Sequence, residues 1–209
     1  MSGTTSRAPP LWAAGGPQPI SRADPEDISV RTAREGPSSA VPVCRVVTYR
    51  GRVVELVPIT RDNWRRAAAI SVADGQLRFV ADHEPVALVI LSKAFLRVAD
   101  RDWWPYLIED AGRAVGVVAL VDERQPDGQL ALFHLAIDAA QQRRGYGRAA
   151  LRRAVELARQ LTGCDRLRLT VHPENRVAIA LYESEGFVVD GTDDDGELRL
   201  STATPGGGS

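Results

Sequence analysis

The stretch LALFHLAIDAAQQRRGYGRAALRRAVELARQ, residues 130–160, sets an apolar run, a Gly–Arg turn and an amphipathic segment end to end. Residues 130–137 are apolar on both alternating faces apart from His134, the pattern of a central strand covered on both sides. After the turn, Ala150, Leu151, Ala154, Val155, Leu157, Ala158 and Leu161 recur at helical spacing, and Gly163 is a natural stop. Between strand and helix stand Gly145 and Gly147. Glycine in a first helical turn is unfavourable because it surrenders the most backbone freedom on folding. Either the chain turns sharply here, or something approaches its backbone closely.

A first helical turn has N–H groups without intrahelical acceptors, and the macrodipole adds partial positive charge, so such a junction suits an anion. Gln142, Arg143, Arg144 and Arg148 add donors around it, and Arg152, one turn beyond Arg148 on the same face, could reach a further phosphate. The spacing is not that of a Walker loop, which needs a Lys before Ser or Thr, nor of GxGxxG.

The rest of the chain gives this junction a setting. Its 209 residues carry a formal net charge of −1, with no global pull toward nucleic acid or a membrane surface. The longest apolar runs are far shorter than the roughly 20 residues that span a bilayer. Cys44 and Cys164 are the only cysteines, which speaks against a disulfide framework or zinc site, and a cytoplasmic protein is expected. Residues 1–48 hold seven of the thirteen prolines and no sustained periodicity, so they read as a disordered tail; 203–209 read as a second flexible end.

The segment 49–202 between them alternates elements. A strand at 53–59 precedes a helix over 61–73 capped by Thr60. A second helix is expected over 82–98, with Ala87, Leu88, Leu91, Phe95 and Leu96 as its apolar face. YLIED (106–110) and AVGVVALV (114–121) form a hairpin about Ala111-Gly112. A strand over 166–171, a helix over 175–185 and a closing hairpin complete a mixed α/β (α+β) sandwich.

Two motifs together resemble one family. Q-R-R-G-Y-G (142–147) is similar to the pyrophosphate-binding Q/R-x-x-G-x-G/A signature of the GNAT N-acetyltransferases. Downstream, Asn175, Ala178, Leu181-Tyr182-Glu183 and Gly186-Phe187 match that family's N-x-x-A-x-x-L-Y-E-x-x-G-F segment. The resemblance implies a mostly antiparallel sheet with splayed central strands, helices on both faces, and acetyl-CoA as co-substrate without a metal. It implies that the backbones of Leu135, Ala136 and Ile137 pair with the pantetheine amides, that Gln142, Arg143, Arg144, Gly145, Tyr146, Gly147 and Arg148 wrap the pyrophosphate, and that Asn175 faces the pantetheine arm.

Acetyl transfer to an amine needs a neutral nucleophile, a donor for the carbonyl oxygen and a proton for the leaving thiolate. Tyr182 matches the family's general acid. Ala131 stands where members often carry a glutamate base, so His134 is a candidate base or relay, with Glu109, Asp110, Glu197 and water as alternatives. The runs L-V-P-I-T-x-x-N-W (56–64) and F-V-A-D (79–82) resemble the spermine/spermidine acetyltransferase-like branch, although His83-Glu84-Pro85-Val86 departs from its Asn-x-x-Ser. A polyamine is accordingly the first substrate, with Glu84, Trp103 and Glu109 as candidate contacts. An aminoglycoside, a peptide amine and a non-catalytic acyl-CoA sensor are the alternatives. No nucleic-acid or membrane partner is expected, and a homodimer is left open.

Overall fold

The computed structural model describes residues 47–49, 52–81, 83 and 85–204. The expected N-terminal tail lies outside these residues up to 46, as does the last stretch from 205. The sheet begins two residues before the expected domain start, with β1 (Val47–Tyr49) pairing β2 (Arg52–Pro58), and extends past its expected end. Thr204 is fully buried, its hydroxyl donating to the Cys164 carbonyl at 3.1 Å.

Three further strands follow: β3 (Asp102–Asp110), β4 (Arg113–Glu123) and β5 (Gln129–Ile137). Helix α1 (Trp64–Ala68) and helix α2 (Val86–Leu96) precede them, and a helical turn α3 (Arg124–Asp127) joins β4 to β5. After β5 come α4 (Tyr146–Gln160), β6 (Arg166–Val171), α5 (Arg176–Ser184), β7 (Val188–Thr192) and β8 (Leu198–Ala203). The eight strands are ordered β1-β2-β3-β4-β5-β6-β8-β7, antiparallel except for β5 and β6. A parallel neighbour needs a long crossover, and α4 supplies it.

The sheet is covered on both faces, which explains its apolar strands. On one face Trp104, Tyr106, Ile108, Leu130 and Leu132 pack with Leu151, Ala154 and Leu157 of α4. On the other, Leu107, Val117 and Ala119 pack with Ala67 of α1 and Val86, Ala87 and Ile90 of α2. Each fully buried leucine of this kind contributes about 1.5–3 kcal/mol.

Two features of β5 position the site, the first of them the splaying that the family resemblance implies. Strands β5 and β6 pair only from Gln129–Leu132 against Arg166–Leu169, so the rest of β5 diverges from β6. Against β4 the register jumps from Ala119↔Phe133 to Val117↔Ala136, leaving His134 and Leu135 in a bulge where His134 has φ +55°. Gly116 allows this packing: a Cβ there would lie 2.9 Å from Ile137 Cδ1 and closer still to the Ala136 carbonyl oxygen.

The first two helices are shorter than expected. Asn63, not Thr60, precedes α1; its Oδ1 accepts from the Thr60 N–H at 2.7 Å and its amide donates to the Pro58 carbonyl at 3.0 Å, holding 61–63 as a turn. Pro85 starts α2, in line with its fixed φ and missing N–H. The expected apolar face of α2 is wrong: Val86, Ala87 and Ile90 are buried, whereas Leu88, Leu96 and above all Phe95 (88% exposed) face outward. VALVILSKAFL is apolar nearly all round, so spacing alone could not choose a face. Strand β3 also reaches back through Trp103-Trp104-Pro105, where the Pro105 carbonyl accepts from the Ile59 N–H at 2.9 Å. No described helix is long and apolar enough to cross a membrane.

Candidate functional site

Where β5 leaves β6 there is a cavity of about 690 Å³. Leu135 and Ile137 of β5 form one wall, residues 141–143 and 145–148 the floor, and α5 with its preceding residues the opposite wall. A 3-10 turn (Leu77–Phe79) crosses above, bringing Gln76, Phe79 and Val80 to the cavity.

The floor is the Gly–Arg turn. Arg143 and Gly145 both have positive φ, +59° and +86°, and Gly145 is the N-cap of α4. Its glycine is explained by conformation alone. Gly147 is different. It is helical, and a Cβ there would meet only Leu181 Cδ2 at 3.6 Å and Ile137 Cγ1 at 3.8 Å, ordinary contacts. The first N–H with an intrahelical acceptor is that of Ala149, bonded to the Gly145 carbonyl at 3.0 Å, so the Gly147 and Arg148 amides before it have none. The turn is anchored on both flanks. The Tyr146 hydroxyl donates to Asp110 Oδ2 at 2.6 Å, and the Gln142 amide donates to the Ile137 carbonyl at 3.1 Å and to Gln76 Oε1 at 2.7 Å.

The opposite wall carries Asn175 and Tyr182. Asn175 caps α5, its Oδ1 accepting from the Ala178 N–H at 3.3 Å. Replacing it with Ala is expected to lower unfolding free energy by about 1 kcal/mol, read as a lower urea midpoint at unchanged slope. Tyr182 is buried against Phe187, with ring centroids 6.0 Å apart. Burial, reinforced by the negative charge of Glu197, pushes its phenol up to about 12, so it holds its proton throughout the physiological range.

The structure gathers most of the sequence-predicted cofactor residues at this cavity: Leu135, Ile137, Gln142, Arg143 and Gly145 through Arg148, then Asn175 and Tyr182. Ala136 and Arg144 are not among its lining residues; the Ala136 side chain packs toward α1 and α2. The candidate base and substrate residues lie elsewhere. His134 donates from Nδ1 to the Val80 carbonyl, and Lys93 Nζ lies 2.9 Å from its Nε2, so both ring nitrogens are engaged. Trp103 donates to the Val98 carbonyl at 3.0 Å and packs on Phe133. Glu109 is buried and paired with Arg66 at 2.8 Å, and Asp110 holds Tyr146. Glu84 lies outside the described residues.

The sequence reading missed two features. Phe79 packs at a tilt against His172 with centroids 5.4 Å apart, and Arg78 pairs with Glu174 at 3.1 Å, tying the 3-10 turn to the approach of α5. Glu185, at the end of α5, holds Arg148 and Arg152. Both join residues far apart in sequence without a local pattern.

Residues 70–187 match the model of the acetyltransferase (GNAT) family. The chain is 32% identical over 98 residues to the L-amino acid N-acetyltransferase AaaT of Escherichia coli (strain K12), covering 46% of this chain and 60% of that protein. It is 33% identical over 85 residues to N-acetyltransferase family 8 member 3 of Rattus norvegicus, covering 39% and 37%. The match thus spans less than two thirds of either relative. Among solved structures it resembles spermidine N-acetyltransferase from Vibrio cholerae in complex with CoA and spermine, with TM-score 0.58, 18% identity, and coverage of 72% of this chain and 95% of that one. It also resembles the ribosomal-protein-S18-alanine N-acetyltransferase from Escherichia coli, with TM-score 0.52, 22% identity, and coverage of 75% and 97%. At these identities the likeness is one of fold.

Proposed function

The chain belongs to the GNAT acetyltransferase family, and from that premise we propose that it transfers the acetyl group of acetyl-CoA to the primary amine of a small molecule. One observation carries the reading: a single cavity joins the β5 edge beyond its pairing with β6, the first turn of α4, whose N–H groups before Ala149 have no intrahelical acceptor, and the protonated phenol of Tyr182.

The residues fit CoA. Past Leu132 the β6-facing edge of β5 has no strand partner, so its amides can take an extended pantetheine arm as an added strand. The bare surface of Gly147 and the surrounding arginines suit a pyrophosphate. Bound acetyl-CoA supplies a thioester whose acyl carbon accepts the amine nitrogen. A β5 backbone N–H polarises the thioester oxygen, and Tyr182 donates its proton to the departing sulfur. His134, Glu109 and Asp110 are engaged elsewhere, which leaves water or Glu197, whose negative charge reaches Tyr182, to take the amine proton.

A polyamine remains the first acceptor to test. Among the described residues the cavity lining holds one carboxylate, Glu174, already paired with Arg78, so a substrate ammonium would have to share it with that guanidinium. The similarity to AaaT favours an α-amino acid as the second. The test is thiol release from acetyl-CoA with spermidine, spermine, L-amino acids, aminoglycosides and peptides. Release with a small amine is expected; tight CoA binding without release for any amine would make the domain an acyl-CoA sensor.

A further inference from the structure

Arg148 and Arg152 share one carboxylate. Arg148 NH1 lies 2.9 Å from Glu185 Oε1, while Arg152 reaches Oε1 with NH2 at 3.0 Å and Oε2 with Nε at 2.5 Å. The two arginines are four residues apart on one face of α4, and the Glu185 side chain is only 8% exposed. Their positions differ: Arg148 lines the cavity, whereas Arg152 is not among its lining residues.

A nearly buried carboxylate beside an anion site is a liability, because it repels the ligand through a medium that screens poorly. Paired with Arg148 alone, Glu185 would cancel the charge meant for the ligand. With Arg152 added, the formal charge of the triad is +1, and the second carboxylate oxygen is taken. Glu185 touches Arg148 through NH1, leaving its Nε–NH2 edge without a protein partner among the described residues. That edge can grip a phosphate oxygen pair.

We propose that Arg152 is a positioning residue that neutralises Glu185, allowing Glu185 to hold Arg148 at the cavity without repelling the phosphates of the donor. The proposal rests on the reading of the cavity as a CoA site. It assigns Arg152 no contact with the ligand.

A double-mutant cycle on the full chain tests it, with CoA affinity measured by calorimetry at fixed ionic strength. Arg152→Gln is expected to weaken CoA about fivefold when Glu185 is present, and by less than about twofold in a Glu185→Gln background. Arg152→Lys keeps the charge and should stay within about twofold of the wild type. Equal losses in both backgrounds would mean that Arg152 grips the phosphates itself, which overturns the proposal. So would an unchanged affinity for Arg152→Gln. Arg148→Gln separates the two levels: it should weaken CoA in every background, and if it does not, the anion-site reading fails along with the triad.

Discussion

Tyr182→Phe is expected to lower turnover at least about a hundredfold while CoA affinity stays within about twofold of the wild type. The substitution keeps the ring that packs on Phe187 and removes only the proton donor. An interaction needed only as the thiolate departs should appear in turnover and not in donor binding. Burial gives the pH behaviour its sign. The folded phenol is raised from 10.0 to about 12, so the folded state keeps its proton between those values while the unfolded chain loses it. That contribution to stability is complete below pH 10 and is lost as pH rises toward 12. Turnover should therefore show no loss from phenol ionisation below pH 10, and the alkaline fall in wild-type stability should be shallower in Tyr182→Phe. Unchanged turnover in the variant would remove Tyr182 from the mechanism.

The parts legible in the sequence are those written in neighbouring residues. The strand at 166–171 and the helix stopped near Gly186 carry their own periodicity and punctuation, and both form as expected. The two motifs that meet at the cavity are readable for the same reason, since each is one continuous turn or helix. The buried face of α2 was not, because a segment apolar nearly all round is oriented by the sheet beneath it. Nor was the fate of His134: the bulge that turns it toward Val80 and Lys93 arises from the β4 register and the space at Gly116. Glu109, a candidate base and substrate contact by sequence, is paired with Arg66, 43 positions earlier, which no local pattern announces. Substrate contacts depend on such long-range pairings, so the donor was easier to read than the acceptor.

The two glycines of the Gly–Arg turn should separate in experiment. Gly145 sits at φ +86°, where any Cβ is strained, so Gly145→Ala should destabilise the protein by about 1 kcal/mol. Gly147 has helical geometry and room for a methyl group, so Gly147→Ala should fold as well as the wild type, or more stably by roughly 0.5–1 kcal/mol. Yet its methyl group would face Ile137 and Leu181 in the cavity lining, next to first-turn amides without an intrahelical acceptor, and would take up room that a phosphate oxygen needs to come within hydrogen-bond distance. Losing charge-assisted bonds there should weaken CoA roughly tenfold to a hundredfold. A variant that melts no lower and binds its donor far more weakly would show that the fold does not require Gly147. If Gly147→Ala binds CoA as tightly as the wild type, the pyrophosphate does not rest on this turn. Arg143, Arg148 and the open edge of β5 would then have to hold the donor without it.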